Sequence, residues 1–461
     1  YLESLGNRLQ RAITYAEQSL AYRPDFTPAL SLLAKLRYRA GQFEEAARLA
    51  DSAIAANRED SGAWYLKGLS YMRMDRSADA LNVLSGAASV DSGDEFIRYV
   101  LEDLVIRTTA LEGAGTGKED PRRASWAVWH FTRARNFRAA NLNEEALFEY
   151  RRGLRLNPYA RDRRDYAELL RLQGYPARYF EELRFMQDLG LGDRSLNDAV
   201  EAYDSLLEDA LYRRWEVNPV DTAKRHWKAA VFSVASQSSF YHADAGAVAA
   251  SYVKELLVHD RNIAALELEP RQPSFSQAYR TARDAGADYF LVVSASENER
   301  DISVRGELFV GRTGSSAGVF SAYRTGGDRL RNAVRGVADQ FAASLPFRAE
   351  LIARRQAQGL VDKGRADGIK PGDVYDVVKK GRALVLNEGI GLSYTSDDLV
   401  GKLTVENADE EVASGVLVRN GFFDRIGLGD EIILQAEKSG DAPPPETGIN
   451  PELRALLRTL R

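Results

Sequence analysis

The chain has no cysteine among its 461 residues. That excludes disulfides, thiolate nucleophiles and cysteine metal sites, and it fits either redox compartment. Histidine is nearly as scarce. The four present, His130, His226, His242 and His259, never fall at the spacing of a helical zinc-hydrolase motif. No apolar run approaches the roughly 18 residues that span a bilayer, so no membrane span is expected. Neither sign of charge is in excess. With 62 basic and 67 acidic residues the net charge is −5, which argues against a nucleic-acid partner. The chain opens at Tyr1 inside what reads as a helix pair, so an upstream segment is expected.

What the sequence does hold is a phase. Ala12, Ala46 and Ala80 lie 34 residues apart, and Ala53/Ala87, Leu30/Trp64 and Ala34/Gly68 repeat the same step. Small residues at fixed phase let paired helices approach closely, while Trp64, Tyr71 and Leu84 fill the gaps between them. The spacing predicts helices over 10–21, 27–39, 43–56, 62–73, 78–89 and 96–111, then a polar loop over 112–122. A second set follows over 126–140, 143–156, 165–173 and 178–188, with one long capping helix over 197–215. Beyond Asn218-Pro219 the period changes. Strands are predicted over 228–234, 263–268, 289–296, 302–311 and 318–323, with helices over 245–258, 274–285 and 329–344, a β-α-β-α-β-β-β-α order that makes a two- or three-layer α/β sheet. Six short strands with glycine–aspartate turns, 348–354, 358–362, 374–378, 399–405, 412–418 and 431–434, read as a small barrel. Pro443-Pro444-Pro445 stiffen a linker to a terminal helix striped by Leu453, Leu456, Leu457 and Leu460. The domains expected are an α-solenoid over 1–216, the α/β domain over 225–346, the β-domain over 347–436, the linker over 437–450 and the helix over 451–461.

Motifs with chemistry are few. Gly113–Glu119 (GAGTGKE) lacks the first glycine and the Ser/Thr of a phosphate loop, and no strand precedes it. Gly311, Gly314 and Gly318 join two strands and read as a hairpin loop. Asp397/Asp398 and Glu410/Glu411 read as solvated loop carboxylates, and Ser236, Ser238 and Ser239 lack a nucleophile elbow. Ser236, Tyr241, His242 and Asp244 form the only local cluster that an enzyme reading could use. No catalytic residue, metal ligand or cofactor is assigned. The run Arg151, Arg152, Arg155, Arg161, Arg163 and Arg164 reads as a solvated face, with an acidic partner surface as the alternative. The leucine stripe has three readings: packed on its own chain, docked in a neighbouring subunit, or a disordered tail.

The 34-residue pattern resembles the tetratricopeptide repeat, over 10–92 and in degenerate form over 126–188. That resemblance implies a groove lined by the first helix of each pair: Pro28, Ser31, Lys35, Tyr38 and Arg39, then Gly62, Tyr65, Leu69, Met72 and Arg73. Of these, Lys35, Tyr38, Arg39, Tyr65, Met72 and Arg73 are the expected partner-binding residues, with the leucine stripe as a second contact. Ala229–Val234, Ala285–Tyr289, Val304–Phe309 and Ala343–Pro346 resemble an α/β fold of bacterial envelope proteins, seen in the TolB N-terminal domain, CsgG-type secretion proteins, penicillin-binding-protein activator lipoproteins and the flagellar T-ring protein FlgT. Gly364–Val377, Gly401–Val405 and Gly429-Asp430 resemble the β-domain that ends FlgT. The combined order is similar to periplasmic collar proteins of spirochaete flagellar motors. It implies a non-enzymatic periplasmic scaffold with protein partners and a possible ring assembly. The rival is an envelope adaptor for secretion or peptidoglycan synthesis.

Overall fold

The computed structural model describes residues 3, 8–109, 121–217, 225–233, 241–268 and 274–434. The leucine stripe, the proline linker and Ser236 lie outside these, as does most of the predicted 112–122 loop.

The first part is a stack of helices: α1 (Leu9–Tyr22), α2 (Thr27–Arg39), α3 (Phe43–Ala56), α4 (Ser61–Arg73), α5 (Ser77–Val90) and α6 (Glu95–Thr108). Local chemistry sets the boundaries. Pro28 sits in the first turn of α2, Gly41 makes the turn to α3 at φ +77°, and Asp60 caps α4 by accepting from Ala63 N at 2.9 Å. The phased small residues do what their size suggests: Ala34, Ala46, Ala80 and Ala87 are fully buried. A Cβ on Gly68 would stand 2.6 Å from the Leu84 side chain, so only glycine permits that approach.

The second set is α7 (Pro121–Ala139), α8 (Asn143–Leu156), α9 (Arg163–Leu172), α10 (Pro176–Asp188), α11 (Arg194–Leu206) and the short α12 (Leu211–Arg214). Helix α7 begins inside the predicted loop, with Pro121 at its start. Its buried Arg123 donates to the carbonyls of Ile106 (2.8 Å), Thr109 (2.7 Å) and Leu156 (3.2 Å), closing the ends of α6 and α8. The single helix expected over 197–215 is broken. Asp409, far along the chain, accepts from Leu211 N at 2.5 Å and starts a new turn there, and Leu211 buries against Leu360 and Val412.

The sheet domain has strands β1 (Trp227–Ser233), β2 (Ile263–Ala265), β3 (Tyr289–Glu297), β4 (Asp301–Val310) and β5 (Ser316–Thr325) in the order β2-β1-β3-β4-β5. β1 pairs parallel with β2 and β3, and β3, β4 and β5 form an antiparallel meander. Helices α13 (Ala245–Val258) and α15 (Arg329–Ser344) bury one face. Helix α14 (Phe275–Asp284) sets Ala278 and Ala282 against Ala230, Phe232 and Phe290 of the other. Gly311 and Gly314 do lie in a hairpin loop, with Gly314 at φ +73°, while Gly318 falls inside β5 and pairs with Leu308.

The last unit is a closed barrel. β6 (Arg348–Arg355), β7 (Gln358–Val361), β8 (Val374–Val378), β11 (Leu399–Ala408), β12 (Ala413–Arg419) and β13 (Glu431–Leu434) join in the order β11-β12-β7-β6-β13-β8. Gly372 and Gly429, at φ +94° and +84°, make the two glycine–aspartate turns. A two-stranded hairpin, β9 (Leu384–Val385) and β10 (Leu392–Ser393), has no counterpart among the predicted strands. Solenoid and sheet share one continuous core, in which Ala12, Tyr65 and Leu104 belong to the same buried cluster as Val253, Leu291 and Phe341.

Candidate functional site

The groove of the helical stack is where the sequence placed a partner, and its occupant is the chain itself. The segment 241–244, just before α13, lies against α2, α4 and α6. Lys35 Nζ donates to the Tyr241 carbonyl at 3.2 Å, Tyr65 Oη to the Ala243 carbonyl at 3.2 Å, and Tyr38 Oη to Asp244 Oδ2 at 2.6 Å. Arg73 reaches the same carboxylate at 3.9 Å. Asp244 holds a left-handed conformation, φ +58°, which an Asp tolerates better than most residues.

His242 is the centre of this contact. Its ring stacks on Phe96 at 4.4 Å and meets the edge of Tyr65 at 5.2 Å. Nε2 lies 2.8 Å from Asp94 Oδ2 and Nδ1 lies 3.0 Å from Glu297 Oε2. Burial works against charging the imidazole, but the bonds to Asp94 and Glu297 overcome it and raise its pKa to about 9. Asp94 serves twice, since it also caps α6 by accepting from Phe96 N and Ile97 N at 2.8 and 3.0 Å.

Further along, the groove closes on α13 and α15 through aromatic and charged contacts. Tyr99 stacks on Tyr252 at 4.4 Å and donates to Ser251 Oγ at 3.3 Å. Arg152, 6% exposed, bonds Glu102 at 2.7 Å, lies 3.7 Å from Glu255 and donates to Tyr252 Oη. Arg155 pairs with Glu255 at 3.0 Å. The arginine run is therefore not a solvated face at these positions. Arg152 and Arg155 meet an acidic surface on their own chain, Arg163 bonds Glu182, and Arg164 bonds Asp193 at 3.0 Å. Beneath them His130 sits between Glu149 (2.6 Å) and Glu102 (3.0 Å). Burial opposes ionisation of Glu102, but Arg152 and His130 outweigh it and lower its pKa to about 2. Glu95 accepts from Leu330 N and Arg331 N at 3.2 and 3.1 Å, so a solenoid carboxylate caps the first turn of α15.

The barrel makes the remaining junctions. Glu410 and Glu411, expected in solvent, are not there. Glu410 accepts from Ala177 N at 2.7 Å and Arg178 N at 3.3 Å, at the start of α10, and Glu411 bonds Arg178 at 2.8 Å and also Arg261 of the sheet domain. The signal missed was that a helix beginning with Pro176 leaves free N–H groups for an acidic partner. His226 bonds Asp362 at 2.8 Å, and Trp227 Nε1 donates to the Pro346 carbonyl at 3.2 Å.

Of the expected groove residues, Lys35, Tyr38 and Tyr65 are engaged internally, and Arg39 is exposed. Met72 and Arg73 line a cleft of about 500 Å³ left open between α4, α6 and the β1–β2 edge, with Leu69, Val100, Val248 and Leu268 as apolar wall. The three described members of the cluster an enzyme reading could use do not converge. Tyr241 is exposed, while His242 and Asp244 are spent on the solenoid contact. Among the described residues no group of histidine and carboxylate side chains is placed to hold a metal ion, and no helix is long and apolar enough to cross a membrane.

Comparison with known proteins bears on two of the units. Residues 6–87 match the family model of anaphase-promoting complex, cyclosome, subunit 3, and residues 226–343 match the second-domain model of the TPASS_0648 family. No curated protein sequence matches the chain. Similar solved structures include MamA, at 12% identity, TM-score 0.23, covering 41% of this chain and 92% of that one. YrrB, described as a TPR protein with an unusual peptide-binding site, shares 16% identity at TM-score 0.23, covering 44% and 86%. A thermophilic TPR protein of Thermus thermophilus shares 17% at TM-score 0.20, covering 44% and 93%. The 34-residue phase and the family match identify the helical part. The N-terminal helices of this chain are a tetratricopeptide-repeat array of the protein-interaction type, and its sheet domain is of a kind that recurs as the second domain of a family.

Proposed function

We propose that this protein is a non-enzymatic scaffold of the bacterial periplasm, and that it helps build the collar or ring around a flagellar motor. The observation that carries the scaffold reading is the filled groove. A repeat array whose concave face holds its own sheet domain, and whose far end is bonded to its own barrel, presents partners with one rigid body rather than a flexible peptide receptor. Partner contacts then fall on the outer surfaces and on the open cleft with Met72 and Arg73. The leucine stripe Leu453, Leu456, Leu457 and Leu460 is proposed as a further docking element. Support for the motor and for the compartment comes from the order of repeat array, envelope-type sheet and FlgT-like barrel. A ring built from such subunits multiplies modest contacts into stable assembly. The test is deletion with cross-linking in cells. Loss of swimming together with cross-links to motor proteins is expected. Normal swimming, with cross-links to secretion or peptidoglycan-synthesis proteins, would support the envelope-adaptor reading instead.

A further inference from the structure

The loop between β12 and β13 carries the most exposed aromatic pair of the described residues. Phe422 is 82% exposed and Phe423 75%, with ring centroids 5.1 Å apart and planes at 87°. Val418 and Leu428, 58% and 62% exposed, flank them. Large apolar side chains this open are not required by the fold, since none of the four belongs to the barrel core. Nor is the loop slack. Asn420 N donates to the Val400 carbonyl at 2.9 Å and its amide to Leu399 O at 3.0 Å. Arg354 binds Asp424 and also donates to the Ile426 carbonyl at 2.6 Å, and Gly427 N donates to the buried Asp430 at 2.8 Å. The rings are held out by a bonded frame.

Around the tip stands a basic collar. Lys402 lies directly across the β11–β12 ladder from Val418, with Arg419 next to it. Lys379 Nζ donates to the Arg425 carbonyl at 3.2 Å, and the Lys380 ammonium lies over Gly429. These four cations and Arg425 are all exposed. Two nearby acids are paired, Asp424 with Arg354 and Asp430 with Lys379, and Asp398 lies 3.9 Å from Arg382; Asp397 is exposed beside Arg425, so the excess of positive charge comes from Lys380, Lys402, Arg419 and Arg425. An exposed aromatic pair with long cationic side chains on the neighbouring strands and turns matches the chemistry of a bilayer interface. Rings settle at headgroup depth, and Lys and Arg stems reach anionic phosphates beside them. A protein partner would instead have to supply a socket shaped to two perpendicular rings.

We propose that this barrel loop docks on the surface of an anionic phospholipid bilayer, with Phe422 and Phe423 inserted and the collar on the headgroups. The inference stands independently of the flagellar reading. The test is flotation of the full chain with vesicles of phosphatidylglycerol and phosphatidylcholine, against phosphatidylcholine alone. The wild type is expected to float with the anionic vesicles only, and to be released by salt. The Phe422→Ser/Phe423→Ser variant should partition about tenfold less or weaker still, and Lys402→Glu/Arg419→Glu should lose the salt-sensitive part. Both pairs are exposed, so both variants should unfold at the wild-type temperature. The proposal is overturned if the wild type ignores anionic vesicles at low salt, or if the phenylalanine variant floats as well as the wild type. Loss of self-association in that variant, with no vesicle binding by the wild type, would assign the tip to a protein contact and overturn it equally.

Discussion

Replacing His242 by glutamine removes a cation from between two acids that the fold buries with it. The side chains of His242, Asp94 and Glu297 are 13%, 12% and 0% exposed. An imidazole raised from 6.5 to about 9 binds its proton more tightly by about 3 kcal/mol in the folded state than in the unfolded chain. The sign follows from the direction. A histidine whose folded pKa is raised contributes its full stability below about 6.5, and that contribution fades as pH rises through about 9. Guanidinium denaturation of wild type and His242→Gln at about pH 6 should therefore show a gap of at least about 3 kcal/mol, because glutamine also leaves Asp94 facing Glu297 without a cation. At about pH 10 the gap should shrink by roughly that 3 kcal/mol, since tyrosine and lysine titrations elsewhere cancel in the difference. The neutral triple variant Asp94→Asn/His242→Gln/Glu297→Gln should recover part of the loss at low pH. A gap that stays constant across the range would refute the argument, as would an NMR titration placing the His242 imidazole near 6.5.

Other substitutions probe other parts of the clasp. Burial, with Glu411 beside it, raises the Glu410 carboxyl to about 7 against the bonds from Ala177 and Arg178. The folded state thus keeps this proton longer than the unfolded chain, and stability falls as pH climbs from about 4.5 to about 7. Wild type should accordingly lose stability relative to Glu410→Gln over that range, and a relative gain by wild type would count against it. Arg152→Met leaves Glu102 and Glu255 buried without their shared partner and should cost about 3–5 kcal/mol. Hydrogen exchange should then rise first in α6 and α13. Gly68→Val drives a side chain into Leu84 and should cost about 1–3 kcal/mol or more. Gly41→Ala, which meets no neighbour but has φ +77°, should cost about 1 kcal/mol, and equal losses at the two sites would deny the close approach. Finally, residues 8–217 and 225–434, expressed as separate chains, should co-purify, because each holds part of the shared core.

The helices were legible because their information is local. The 34-residue phase marks each close approach, and Asp60, Pro28 and Gly41 mark the ends. The six barrel strands were legible for the same reason, bounded by Gly372 and Gly429 where the backbone turns left-handed. What failed was set from afar. The break in 197–215 is made by Asp409, 198 positions from Leu211, and nothing within the helix announces it. The occupant of the groove was equally hidden, since Tyr38 and Asp244 are 206 positions apart and periodicity does not report pairings at that range. One clue lay in plain view. Glu102 and Tyr99 share the buried face of α6, and a carboxylate on an apolar stripe requires a cation from elsewhere.

A filled groove changes what kind of scaffold a repeat array can be. An open array binds an incoming peptide with its concave face and is ordered by that event. Here the ordering is complete before any partner arrives, and the buried acids and bases of the groove are already matched. Displacing the 241–244 segment would strand Asp94 and Glu297 around an empty site and uncover Tyr38 and Tyr65, a loss that a competing peptide must offset in full. The barrel strengthens the point. It bonds the solenoid through Glu410 and Asp409 and the sheet through Asp362 and Glu411, so each of the three units touches the other two. Opening any one junction strains a second, and the molecule resists hinge motion by connectivity rather than by the strength of a single contact. Such a body is suited to holding distances between partners. The surfaces left to hold them with are those outside the clasp: the outer faces of the helices and the cleft at Met72.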